Sequence, residues 1–235
     1  MNWLAGITGK IVYEQAVYGS FPFWERGYGV LAQSAGCRAE WVDALRRAGQ
    51  RFGERPTGVT EQACLFALPL PRGTWMIVGV FPAGLDDQGR PGALVFHGLF
   101  LSRWMYFRAG RDPFALARAL RGHWTEADVK LTLPPGALTV PVWSRKRAGN
   151  AGPADPRIAT IVTAIRGKRR VVIPAEEPID ELAQAVWEAL PGSVRCRTSV
   201  ATWAFGNDNG FDLVAVPRTT VLAPDSRQLI LEPRT

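Results

Sequence analysis

The sequence predicts an α+β protein, in which an N-terminal antiparallel β-meander with packed helices precedes a smaller C-terminal α/β subdomain. Three observations predict it. Runs of β-branched and aromatic residues, separated by turn chemistry, fill most of the first 101 residues. One amphipathic stretch among them carries helical spacing. After residue 156 the rhythm changes to helix, strand, helix, strand, strand, the order of a small α/β unit. The expected organisation is an antiparallel sheet with helices over 1–133, a Pro/Gly-rich connecting segment over 134–156 and the α/β unit over 157–235.

Taken in order, Gly9 to Ser20 and Gly27 to Ser34 read as paired strands, and Phe21-Pro-Phe-Trp-Glu-Arg26 between them is unusually aromatic for a loop. Ala39 to Phe52 places Trp41, Val42, Leu45, Ala48 and Phe52 on one helical face, with Gly53 as its stop. Ala63 to Leu70 and Thr74 to Phe81 flank Pro71-Arg-Gly73, a hairpin signal. Asp86, Asp87 and Gly89 supply the next turn, and Ala93 to Leu101 reads as a central strand holding His97, one of two histidines. Trp104 to Tyr106 suggests a helical turn. Asp112 and Pro113 then form an N-cap and first position for a helix running to about His123, whose side chain would meet the negative end of the dipole. From Pro134 to Pro156 no hydrophobic period survives. Arg157 to Gly167 is a short helix, Arg170 to Ile173 a buried strand and Pro178 to Leu190 a second helix. Strands over 195–205 and 211–217 then surround a Gly206 to Gly210 turn.

With 235 residues the chain can bury a sizeable core, and 47% hydrophobic with 21% charged residues is a globular balance rather than a disordered or membrane-spanning one. No apolar run reaches the roughly 18 residues needed to cross a bilayer, and the first ten residues lack a signal-peptide core, so a cytoplasmic location is expected. Cys37, Cys64 and Cys196 are odd in number and far apart, which indicates reduced thiols rather than a disulfide framework or a zinc knuckle. The net charge of +7 is concentrated between Ser144 and Arg170, where Arg145, Lys146, Arg147, Lys168, Arg169 and Arg170 form two clusters. Those clusters could meet phosphates or an acidic protein surface, or could be a solvated linker and a turn.

Candidate chemistry is sparse. Ser34 or Cys37 could be combined with His97 and with Asp86 or Asp87 as nucleophile, base and orienting carboxylate, the constellation of a hydrolase. No Gly-x-Ser-x-Gly elbow supports it, since the local sequence is Ala32-Gln-Ser-Ala-Gly36. The preferred reading has Ser34 capping the following helix, Cys37 packing, and His97 bonded to neighbouring backbone. No phosphate-cradling glycine loop and no metal-ligand spacing occurs, so neither cofactor nor metal is expected. Among nine tryptophans, Trp75, Trp187 and Trp203 sit on predicted core elements, whereas Trp24 and Trp143 lie in loops beside cations, the composition of interface hot spots.

Tyr18-Gly19-Ser20, then Gly27-Tyr28-Gly-Val-Leu-Ala-Gln-Ser34-Ala-Gly36, then Asp86-Asp87 with Arg90 and the strand through His97 to Phe100, together resemble the N-terminal domain of the bacterial GTPase-associated protein family. Leu190 to Arg195 and Thr198 to Phe205 are similar to later segments of the longer members, so the resemblance spans most of residues 18–216. It implies a component of a GTPase-centred, multi-gene bacterial conflict or defence system, acting as an adaptor, and it brings no catalytic assignment. The chain stops at Thr235, short of those longer members, and a partner is expected to supply the effector region they carry at their C-terminal end. The expected function is therefore non-enzymatic binding of a small GTPase or another system protein. The expected contacts are Phe21, Phe23, Trp24 and Arg26, then Trp143 and Arg145 to Arg147, and Lys168 to Arg170. The alternatives are the hydrolase above and a nucleic-acid binder using the basic clusters.

Overall fold

A computed structural model describes residues 8–23, 27–141, 155–222 and 225–231. In chain order the strands and helices are β1 (Thr8–Gly19), β2 (Gly29–Ser34), α1 (Ala39–Gln50), β3 (Cys64–Leu70), β4 (Thr74–Leu85), β5 (Pro91–Ser102), α2 (Arg103–Arg108) and α3 (Pro113–Leu116). There follow β6 (Thr132–Leu133), β7 (Gly136–Pro141), α4 (Arg157–Arg166), β8 (Arg170–Ala175), α5 (Asp180–Ala189), α6 (Gly192–Arg195), β9 (Val200–Ala201), β10 (Leu213–Pro217) and β11 (Gln228–Ile230). The α+β class holds.

One mixed sheet runs through the molecule in the order β11-β8-β10-β9-β3-β4-β5-β1-β2-β6, with β7 paired to the outer half of β1. Strands β3, β4 and β5 are consecutive antiparallel neighbours, and β5 pairs antiparallel with β1. The strands after residue 157 pair with one another in parallel, which requires crossover connections, and α5 lies in the one from β8 to β9. The two halves meet where short β9 lies antiparallel to β3, with Phe66 opposite Ala201 and Ala67 opposite Val200. Among the described residues no break in the sheet separates those before 134 from those after 156. Of the segment expected to connect them, Gly136–Pro141 is a strand in register with Thr8–Tyr13, and residues 142–154 lie outside the described residues.

Two apolar layers cover the sheet, as the side-chain alternation of its strands requires. On one face Ile77, Leu99, Val171 and Ile173 pack with Tyr106, Leu116, Ile161, Val186 and Trp187, so α2 to α5 contribute to one core. On the other face Phe66, Met76, Phe96 and Phe100 pack with Leu45 and Ala48 of α1, and with Trp203, Phe205 and Phe211. A third, smaller cluster joins Val17, Phe21, Leu31, Val95 and Trp124. Trp75, Trp187 and Trp203 are all buried.

Several local expectations are corrected. The helix opening at Asp112 is capped as expected, the Asp112 carboxylate accepting the Phe114 and Ala115 amides at 2.9 and 3.1 Å. It does not run to His123. A single 3₁₀ turn follows α3, and Leu120 is already extended, which frees the Arg121 amide for a partner outside the helix. Within 195–205 only Val200 and Ala201 are strand, because Gly192 to Arg195 coil into α6 behind Pro191. Ser34 does not cap α1, whose N-cap is Arg38 without a side-chain bond.

Candidate functional site

His97 stands in the middle of β5, opposite Val17 of β1 and Gly79 of β4, and is 1% exposed. Its Nδ1 accepts the Arg121 amide at 2.8 Å. In the neutral ring the proton then sits on Nε2, which donates to Gln15 Oε1 at 2.9 Å, while Gln15 Nε2 donates to the Pro134 carbonyl at 2.8 Å. Trp124 meets the ring edge-on at 5.1 Å and is itself covered by the Arg121 guanidinium at 4.2 Å. Burial foremost, then the Arg121 charge, pushes the His97 pKa down to about 4. The ring is a neutral strut tying β1 and β5 to the 120–134 segment.

Ser34 and Cys37 gather on a different feature. Ser34 Oγ donates to Glu14 Oε2 at 2.5 Å and accepts the Gln15 amide at 2.9 Å, and Cys37 Sγ lies 3.5 Å from the Gln15 carbonyl. Burial pushes the Cys37 thiol up to about 12, so it stays protonated at neutral pH. Residues Gln15 and Val17 share a sheet face with His97, whereas Glu14 and Ala16 point to the opposite face. Ser34 Oγ bonds Glu14 and the Gln15 backbone, whereas both ring nitrogens of His97 are engaged, by the Gln15 side chain and the Arg121 amide.

The paired aspartates lie farther off. Asp86 and Asp87 sit in the turn between β4 and β5, and Pro91 is six residues from His97, about 20 Å along an extended strand. Asp86 organises that turn: its Oδ1 accepts the Gln88 and Arg90 amides at 2.9 and 2.8 Å, and its Oδ2 accepts Arg90 Nε at 2.8 Å. The Arg90 amide foremost, then its guanidinium, holds this carboxyl below its usual range. Asp87 does something else. Its Oδ1 accepts Ser20 Oγ at 3.1 Å and its Oδ2 accepts the Gly27 amide at 2.9 Å, while its own amide reaches Ser20 Oγ at 3.2 Å. Ser20 and Gly27 are the two feet of the aromatic loop, so one carboxylate clamps both.

The segments Tyr18–Ser20, Gly27–Tyr28 and Asp86–Arg90 thus converge. Tyr28 is 47% exposed, its hydroxyl accepts the Leu94 amide at 3.1 Å, and its ring lies 5.7 Å from that of buried Tyr18. At Gly19 a Cβ would stand 3.1 Å from both the Leu94 carbonyl and the Phe21 ring, so a side chain there would have to push one of them aside. Within the loop, Phe21 is not an exposed anchor but is buried in the third cluster, where it stacks on half-buried Phe23 at 5.2 Å. Trp24 and Arg26 lie outside the described residues, as do Trp143, Arg145, Lys146 and Arg147. Lys168 and Arg169 are exposed, and Arg170 is half-buried and paired with Asp225 at 3.3 Å.

Sequence reasoning missed Glu14, Gln15 and Arg121. The signal was present for the first two, because a Glu-Gln pair interrupting an otherwise apolar strand must find partners when that strand is buried. Among the described residues no group of three or more His, Cys, Asp or Glu is placed to hold a metal ion, and no helix is long and apolar enough to cross a membrane. Compared with protein-family models, with curated proteins and with solved structures, the chain matches none of them.

Proposed function

We propose that this protein is a non-enzymatic adaptor that binds a small GTPase or another protein of a GTPase-centred bacterial system. Its antiparallel and parallel halves form one scaffold for a presented loop. The observation that carries this reading is the Asp87 clamp, which fixes both feet of the 21–26 loop against the β4–β5 turn. Holding a loop's ends before binding reduces the ordering cost of association, which is what a recognition loop needs. The side chains suited to nucleophilic chemistry are engaged in the fold, which also favours binding over catalysis: His97 through both nitrogens, Ser34 through Glu14 and Gln15.

The test is retention of purified candidate partners, small GTPases in both nucleotide states first among them, on immobilised protein. Wild-type protein is expected to retain one, and Asp87→Ala to retain at least tenfold less. Equal retention by the two would remove the loop from the interface, and retention of none would sink the adaptor reading.

A further inference from the structure

We infer that the groove between α1 and the β3–β4 hairpin is a docking site for an acidic segment of a partner protein, anchored by a large apolar side chain; this rests on the adaptor reading and names the chemistry of its partner.

Coverage of the sheet is uneven. Five helices, α2 to α6, pack on one face, while on the other α1 is the helix that contributes to the core, helped by loops around Trp203 and Phe211. Beside α1 a groove of about 340 Å³ stays open. Its floor is apolar: Met76 is fully buried, Leu68 and Leu70 are half-buried, and Trp41 is held flat by stacking on Phe100 at 5.6 Å. The rim is cationic. Arg47 on α1 and Arg51 at its C-cap stand about one helical turn apart, both exposed, and neither is in an ion pair among the described residues. Arg72 faces them from the hairpin turn and is already bonded at 3.0 Å to Glu40, the single carboxylate of the lining, which Arg38 also approaches at 3.7 Å. What the groove lacks is negative charge opposite Arg47 and Arg51, together with apolar surface to cover Leu68 and Leu70.

The shape narrows the occupant. The lining follows α1 from Glu40 to Arg51, about 16 Å, a length that suits a peptide segment better than a compact ion. Arginines spaced by one turn match carboxylates on an extended or helical segment, and an aliphatic floor suits a Leu or Phe anchor. A nucleic acid would want exposed aromatic faces for its bases, and the one aromatic of the lining has Phe100 stacked against it and the Arg38 guanidinium over its ring at 4.9 Å.

The experiment pans a random twelve-residue display library on the full chain, with counter-selection on the double variant Arg47→Glu/Arg51→Glu, and then measures enriched synthetic peptides by fluorescence anisotropy. Enriched peptides are expected to carry two or more acidic residues around a large apolar one. Their affinity should fall at least tenfold in the double variant, in Arg47→Ala/Arg51→Ala and in Leu68→Gln, and should weaken as salt rises. Circular dichroism confirms that each variant is folded, and having both a charge-reversed and a neutralised pair keeps the test intact if one is not. Absence of enrichment, enrichment of neutral or basic peptides, unchanged affinity in the variants, or equal competition by a single-stranded oligonucleotide would each overturn the inference. Retention of a whole partner by the double variant as well as by wild type removes the groove and leaves the adaptor reading standing. A wild-type protein that binds such peptides yet retains no candidate partner separates the two failures the other way.

Discussion

At the scale of single residues, His97 decides between a chemical and an architectural reading of the chain. Its unfolded pKa near 6.5 and folded value of about 4 mean that the unfolded chain binds more protons between those limits. Stability is therefore complete above about pH 6.5 and declines as pH falls towards 4, by on the order of 3 kcal/mol from this residue. His97→Gln should lower stability at pH 7 by about 1–3 kcal/mol, because the Arg121 amide and Gln15 lose a shaped partner, and the gap to wild type should narrow towards pH 4. Denaturant titrations at both pH values check this, and an unchanged midpoint at pH 7 would contradict it. Cys37 offers a second check. With its thiol pushed up to about 12 by burial, iodoacetamide at pH 7.5 should modify it at least tenfold more slowly in the native protein than in the urea-unfolded chain. Sequence alone showed that His97 needed a partner, but not which one, since Gln15 lies 82 positions away and only strand register brings them together.

Among the elements, the β4–β5 hairpin carries the most information. Its turn was legible from Asp86, Asp87 and Gly89, whereas the division of labour between the two carboxylates was not, because it depends on which way each points from the turn. Asp86→Ala removes the acceptor for two turn amides and the Arg90 side chain and should lower the denaturation midpoint. Asp87→Ala should have a more local effect. Amide exchange at Gly27 and its neighbours should speed up by tenfold or more, while the centres of β4 and β5 keep their protection. Equal loss of protection throughout would contradict a local clamp. The amphipathic pattern made α1 legible, and Pro71-Arg-Gly73 did the same for the hairpin it marks. The helix expected beyond Ala119 failed because a tertiary bond from Arg121 to His97 outcompetes helical continuation. The strand at Gly136–Pro141 was hidden by the prolines before it and the glycine and proline at its ends, which an edge position tolerates.

At the scale of the whole molecule, the change of rhythm after residue 156 was real, since it marks the passage from antiparallel to parallel pairing. It does not mark a break in the core. Leu65, Ile77 and Leu99 pack in one cluster with Val171, Val186 and Leu213, and Phe66 packs with Val214 on the other face. Unfolding should accordingly follow one cooperative transition, with coincident tryptophan-fluorescence and far-ultraviolet dichroism curves, and two separated midpoints would contradict the continuous core. Within the sheet the halves join where β9 pairs with β3, a junction that no pattern in a two-residue strand announces. Across these scales the central claim is that reactive side chains serve the fold while a clamped loop meets a protein partner. Hydrogen–deuterium exchange of the chain, free and bound to the partner it retains, tests that most directly. Slower exchange across residues 20–28 and the 86–90 turn is the predicted result, and a complex that forms while leaving those amides unchanged would contradict it.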